Sequence, residues 1–205
     1  LVGSRVERKE DKRFLTGKGR YTADINIANQ TYAIFIRSPH ARAKIKKIDT
    51  SKALKASGVV EILTGEDIAK DKIGGLIAGW AIRSEDGSEM KCPSNPPLAK
   101  DNVNFVGDPV AVVFAESLDE AKAASELVNI DYKVLKAVTN LAETMNSDTI
   151  HEGIDKNLCY DWLLGDRQKV KEAFEKADKI IKLDITNNRL VPNAMEPRAC
   201  VVDYN

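Results

Sequence analysis

Histidine and cysteine are scarce here: 205 residues carry two of the first and three of the second. Cys92, Cys159 and Cys200 lie far apart and form no C-x-x-C pair. An odd, scattered set argues against a disulfide framework and fits a reducing cytoplasm. None of the three sits in a recognisable electropositive turn, so no cysteine nucleophile is marked. His40 and His151 have no second histidine or cysteine at ligand spacing, which removes the usual zinc motifs. His151-Glu152 opens an H-E-x-x-H, but the position where the second histidine belongs is Asp155. An excess of charge of one sign is also missing, since 31 basic residues balance 31 acidic ones. That removes the electrostatic footprint of a nucleic-acid or anionic-membrane binder. No apolar run reaches transmembrane length, and the N-terminus is charged rather than signal-like. Gly17-Lys18-Gly19 lacks the third glycine and the Lys-Ser/Thr of a phosphate loop, follows no strand pattern, and reads as a turn.

What is present is an ordinary soluble composition, 43% hydrophobic and 30% charged, enough for one large domain or one domain and part of another. The chain is organised around residues 104–134. Gly107-Asp108-Pro109 is a turn, and Val110 to Ala115 is the longest uncharged run of strand formers, expected to be buried on both faces. Ser117 and Glu120 have capping-box spacing. Leu118, Ala121, Ala124 and Val128 then follow a helical period, and Val128 to Val134 alternate with a period of two. Strand, helix and strand in about thirty residues is the length of a right-handed βαβ crossover.

A second such unit precedes it. Tyr32 to Arg37 reads as a strand apolar on both faces, broken by Ser38-Pro39-His40-Ala41. Ala43 to Ile48 is a strand with Lys44 and Lys46 on its wet side, where lysines protect an edge. Thr50 or Ser51 caps a short helix, Gly58 takes a left-handed C-terminal cap, Val59 to Leu63 is a strand, and Thr64 to Asp67 starts another capped turn. The two units can share one sheet.

Residues 70–101, rich in glycine and proline, have no sustained period; a structureless excursion of this length points to a binding loop, a lid or a subunit contact. Leu135 to Asp148 is a connector and residues 149–165 are irregular. Asp166 caps a helix with Val170, Ala173, Phe174 and Ala177 on its apolar side. Lys179 to Thr186 alternates as a half-buried strand, and after the break at Asn187-Asn188-Arg189 a last strand runs mid-pattern to Asn205, as if the chain were truncated there.

No paired-carboxylate, triad or metal constellation can be assembled. His40 reads as a turn residue making backbone hydrogen bonds. Glu196, between Met195 and Pro197, is the acid that stands out: a carboxylate among apolar residues is either buried and perturbed or buried and paired with Arg198 or a backbone donor.

Taken in order, several pieces resemble one family. They are Phe14 to Ile25 (F-L-T-G-K-G-R-Y-T-A-D-I), Arg37 to Ala43 (R-S-P-H-A-R-A), Gly58-Val59 and Thr64 to Asp67, continued by Leu98-Ala99, Val106 to Ala111, Ala115-Glu116 and Met195 to Arg198. Together they resemble the N-terminal part of the large, molybdopterin-binding subunit of the molybdenum hydroxylases. Gly79-Trp80 to Asp86-Gly87 and the Gly-Asp-Pro form are most similar to the aerobic carbon-monoxide-dehydrogenase-like and aldehyde dehydrogenase large chains.

The resemblance implies an α+β fold: an α/β hammerhead over residues 19–137, after an N-terminal extension at 1–18. A connector at 138–165 and the beginning of a molybdopterin-binding domain at 166–205 would follow. It implies molybdenum on a pyranopterin in the full subunit, the cytosine dinucleotide form being left open, with no cofactor expected on these 205 residues alone. It implies as partners the rest of the large subunit, an iron–sulfur small subunit and a flavin medium subunit, with no nucleic acid and no membrane insertion, in the cytoplasm. The family's pterin-gripping loops and catalytic base lie further downstream than this sequence reaches. Of its site-lining positions only Met195 and Glu196 carry over. Where a second histidine commonly follows S-P-H-A, this chain has Arg42. The alternative expectation is a free-standing, non-catalytic hammerhead module whose 70–101 loop docks other proteins.

Overall fold

The computed structural model describes residues 2–77, 80–188 and 190–204; Gly79, Arg189 and Asn205, named above, lie outside the described residues. Contacts divide the chain into two compact units, Leu1–Gln30 with Ala177–Asn205, and Thr31–Lys176.

The smaller unit has one short helix, α1 (Asp11–Leu15), and a 3-10 turn at Thr22–Asp24. The Asp24 carboxylate accepts from the Tyr21 N–H at 2.9 Å. Phe14 stacks on Tyr21 with ring centroids 6.3 Å apart. Lys179 to Thr186 keeps its alternation but is not a strand: Ile181, Leu183 and Ile185 are exposed. The stretch from Leu190 to Tyr204 is likewise unpaired. A period of two gives a segment the capacity for a strand, but the ladder needs a second backbone to bond with. No strand among the described residues supplies one.

The larger unit is built on two three-stranded antiparallel sheets. Its elements are β1 (Tyr32–Arg37), β2 (Ala43–Asp49), β3 (Val59–Thr64), α2 (Gly65–Lys70), β4 (Asn102–Val103), β5 (Pro109–Ala115), α3 (Leu118–Leu127), β6 (Asn129–Val134) and α4 (Arg167–Glu175). One sheet has the order β1-β5-β3 and the other β4-β2-β6. β5 is central, as its composition predicts, with Val110, Ala111, Val113 and Ala115 fully buried. Val113 packs with Ile62 and with Ala124 of α3, while Val112 packs with Ile68 of α2 and Leu98. The buried Ala121 and Ala124 give α3 a small-residue face toward the sheet.

The expected βαβ crossover is not formed. β5 and β6 belong to different sheets, and so do β2 and β3. The chain steps from one sheet to the other in each unit, in opposite directions, so β3 pairs with β5 and β2 with β6. The reason lies in β6 and β2: half-buried Ile130 and Tyr132 alternate with exposed Asn129, Asp131 and Lys133, and Ala43 and Ile45 with exposed Lys44 and Lys46, as suits an antiparallel sheet with one solvated face rather than a parallel neighbour covered on both sides. β1 departs similarly: Ile34 and Ile36 turn inward, whereas Phe35 is half exposed.

Local chemistry follows expectation at most caps. Thr64 and Asp67 form a complete box at the start of α2, with Thr64 N–H and hydroxyl both donating to Asp67 Oδ2 at 2.8 and 2.7 Å. At α3 the Ser117 Oγ accepts from the Glu120 N–H at 3.2 Å, but the Glu120 carboxylate takes the Ser117 hydroxyl at 2.8 Å and faces Ser57. Neither Thr50 nor Ser51 caps the 3-10 turn Ala53–Lys55 by side chain; Ser51 instead donates to Asp49. Asp166 caps α4 through the Lys169 N–H at 3.0 Å.

Between α2 and β4 the chain is mostly irregular yet anchored. Leu98 and Ala99 are buried, and the Ala99 N–H donates to the Pro109 carbonyl at 2.8 Å. A small hairpin around Arg83 and Glu89 lies along residues 159–167, tied by Lys91 N–H to Cys159 O (2.9 Å), Glu85 N–H to Asp161 O (2.8 Å) and the Arg167–Glu85 ion pair (2.5 Å).

Candidate functional site

The larger unit's buried polar groups gather where two turns meet. The turn after β1 presents Ser38 and His40, and the turn before β5 presents Gly107 and Asp108. Backbone bonds lock them together: Ser38 N–H to Asp108 O at 2.9 Å and Gly107 N–H to Ser38 O at 2.8 Å. Arg37 Nη1 adds a bond to the Gly107 carbonyl at 2.9 Å. Gly107 has φ of 91°, a conformation that favours glycine.

Ser38 and Asp108 are both buried. The Ser38 hydroxyl donates to the His40 carbonyl and accepts from its N–H, each at 3.0 Å, so His40 is the turn residue its sequence context suggests. Its ring meets Tyr132 of β6 edge-on at 5.0 Å. One Asp108 oxygen accepts from the Asn104 N–H at 3.0 Å. Burial pushes the Asp108 carboxyl above the ordinary value, against the pull of that N–H. The Tyr132 hydroxyl is buried without a fully formed hydrogen bond. Burial raises its pKa; the nearby Ser38 hydroxyl, already committed to the His40 backbone, only partly offsets this, and the Asp108 charge adds to the rise.

Beside this joint a cleft of about 1100 Å³ opens between the 70–101 segment and the turn before β5, with Leu76, Asn95, Phe105, Asp108 and His151 on its walls. A smaller one, about 440 Å³, is lined mainly by Glu85, Glu89, Lys91 and Asp161. The larger cleft also has Cys92 and Cys159 on its walls, but among the described residues no hydrogen bond joins either thiol to His151, and Cys92 Sγ faces the Met90 carbonyl at 3.7 Å instead. Among the described residues no group of three or more His, Cys, Asp or Glu is arranged to hold a metal. All three cysteines are free.

Met195 and Glu196 lie in the smaller unit. Met195 is fully exposed, and Glu196 is exposed rather than buried; its Oε1 accepts from the Thr22 N–H at 3.3 Å. Of the two pairings open to it, the backbone donor is the one observed. Two residues that sequence reasoning passed over matter more to the architecture. Asp108 was legible only as part of a turn, although an acid directly before the most apolar strand is a signal for a buried carboxylate. Arg42, in place of the family's histidine, donates to the carbonyls of Lys136 at 3.2 Å and Thr149 at 2.8 Å and so fastens the segment beyond β6.

With this geometry in hand, comparisons place the chain among known proteins. Residues 16–136 match the model for the aldehyde oxidase and xanthine dehydrogenase a/b hammerhead domain. The whole chain is 34% identical to 24% of the nicotine 6-hydroxylase large subunit of Paenarthrobacter nicotinovorans. It is 32% identical, again over its whole length, to 26% of the carbon monoxide dehydrogenase large chain of Afipia carboxidovorans. The crystal structure of a Cu,Mo-CO dehydrogenase in its carbon-monoxide-reduced state superposes on 86% of this chain and 23% of its own, with a TM-score of 0.70 and 29% identity. The chain thus spans about a quarter of the length of the curated relatives it matches.

Proposed function

We propose, from the premise that the chain belongs to the aldehyde oxidase and xanthine dehydrogenase family, that it is the N-terminal part of the large subunit of a molybdenum-dependent oxidoreductase. In this reading it serves as scaffold and subunit contact, and the active site is built by residues beyond it. The supporting observation is the end-to-end similarity to one quarter of a hydroxylase large subunit. Ser38, His40 and Asp108 of the larger unit are meanwhile engaged in its own turns. The reaction is of the carbon monoxide or aldehyde dehydrogenase type, hydroxylation using oxygen from water.

Residues 1–18 are then an N-terminal extension, residues 19–137 the hammerhead domain, 138–165 the connector and 166–205 the beginning of the molybdopterin-binding domain. A pyranopterin-bound molybdenum supplies the redox chemistry in the full subunit. The residues present here do not form its cradle; Met195 and Glu196, both exposed, are those that come nearest to lining its site. Partners are the rest of the large subunit, an iron–sulfur subunit and a flavin subunit, in the cytoplasm.

The test is to express the complete reading frame with its neighbouring subunits, measure metal and pterin, and assay carbon monoxide and aldehydes. Molybdenum near one per large subunit is expected, with none on the 205-residue chain alone. Stoichiometric molybdenum on the short chain, or none on the complete complex, overturns the reading. The larger unit's self-contained two-sheet core favours one alternative, a non-catalytic hammerhead module; a reading frame that ends at Asn205 with a stable product would establish it.

A further inference from the structure

We propose that the exposed face of the β4-β2-β6 sheet docks on an acidic surface of a companion protein subunit, with Lys44 and Lys133 as its anchoring charges. The proposal rests on the multi-subunit reading above and deepens it by assigning a contact.

In the β2–β6 register Lys44 stands directly opposite Lys133, and both are exposed. Like charges directly opposed across two strands are destabilising. The acids nearby do not relieve them. Asp131 is paired with Lys46 at 4.0 Å and Asp49 with Lys47 at 3.5 Å, while neither Lys44 nor Lys133 has an ion pair among the described residues. On its other side Lys44 faces Asn102 of β4, which is uncharged. The Arg42 guanidinium, held on backbone carbonyls, adds a third cation within two residues of Lys44.

Edge protection, the ordinary use of strand lysines, does not account for Lys44. β4 covers β2 only at Ala43 and Lys44, so the uncovered edge begins beyond them and is guarded by Lys46 and Lys47. Lys44 lies inside the sheet, between β4 and β6. A repulsive pair kept where a threonine would relieve it fits a face completed by carboxylates from outside. The chain's net charge is zero, and two opposed lysines match a local acidic patch on a protein better than a polyanion's extended field.

The experiment is made on the complete multi-subunit protein. Lys44→Glu/Lys133→Glu and, as a milder form, Lys44→Gln/Lys133→Gln are compared with the native complex for subunit dissociation constant at several salt concentrations. The charge reversal is expected to weaken assembly by about tenfold or more, an effect that shrinks as salt screens the contact. The glutamine pair is expected to weaken assembly less while raising the large subunit's melting temperature, because the internal repulsion is gone. Unchanged assembly and salt dependence in the charge-reversed protein overturns the inference, as does loss of nucleic-acid or anionic-vesicle binding by that protein while its assembly is kept. Molybdenum content and turnover are read on the same samples. Full activity with unaltered assembly sinks the docking face alone, whereas absence of molybdenum sinks the functional reading.

Discussion

Arg42 reaches from the start of β2 to the Thr149 carbonyl, 107 positions along the chain, and donates to it at 2.8 Å. A second nitrogen of the same guanidinium bonds the Lys136 carbonyl at 3.2 Å. One side chain thereby fastens both ends of the segment that follows the hammerhead strands. Only a rigid, multi-donor fork bridges two carbonyls in this way; a lysine ammonium keeps the charge without the fixed geometry. Arg42→Lys is expected to lose one of the two bonds and about 0.5–1.5 kcal/mol of stability. Amide hydrogen exchange should rise selectively between residues 136 and 149. Uniform exchange across the unit would show that the segment is held by other contacts.

Asp108 yields a pH-dependent prediction. Its carboxyl is raised by burial, so the folded state favours the protonated form. A raised group contributes stability that is fully present below the unfolded value, about 3.9, and is lost as pH rises through the folded value. Asp108→Asn keeps an acceptor for the Asn104 N–H and removes the charge. The variant should melt higher than the native protein at pH 7 and at the same temperature near pH 3. A variant that melts lower at pH 7 would mean that the carboxylate has a cationic partner in the assembled protein.

Sequence reading reached the elements of the larger unit better than their assembly. The apolar run at Val110–Ala115 marks a strand buried on both faces because burial on both faces is what such composition permits. The Thr64–Asp67 and Asp166–Lys169 caps are local and so are written locally. Pairing is not local. The alternation of β6 gives it one wet face, but nothing within β5, α3 or β6 names β2 as the strand it joins, and thirty residues are long enough for either route. The 179–186 segment erred in the same direction, since alternation reports a strand's capacity and its partner strand decides whether the strand forms. Asp108 and Arg42 stayed hidden for a related reason: their roles depend on turns and carbonyls distant in sequence.

Gly58 joins conformation to packing. Its φ is +71°, and a β-carbon there would fall on the Glu120 carboxylate that completes the α3 cap. Gly58→Ala therefore faces a backbone cost of about 1–2 kcal/mol and displaces the Glu120 carboxylate from the Ser117 and Ser57 hydroxyls, worth about 0.5–1.5 kcal/mol more. Adding Glu120→Ala to the Gly58 variant relieves the clash but not the backbone cost. The double variant should therefore be less destabilised than the sum of the two single changes. Strict additivity in a denaturant series would place the clash elsewhere.

Leu183 separates the two readings of the chain. It is 77% exposed, in an extended segment with an apolar residue at every second position and no paired strand among the described residues. On the 205-residue chain, Leu183→Asn removes no buried surface and should shift stability by less than about 0.5 kcal/mol. Val113→Ala, in the core of the larger unit with Val113 fully buried, should cost about 1.5–3 kcal/mol under the same conditions. If residues 166–205 begin a molybdopterin-binding domain completed further along a longer chain, the order changes in the complete subunit. Leu183 then lies on a strand inside that domain, and Leu183→Asn should cost about as much as the core substitution, with loss of molybdenum on purification. A full-length Leu183→Asn protein as stable and as metal-loaded as the native one would leave the segment on the surface and remove the domain assignment that begins at residue 166.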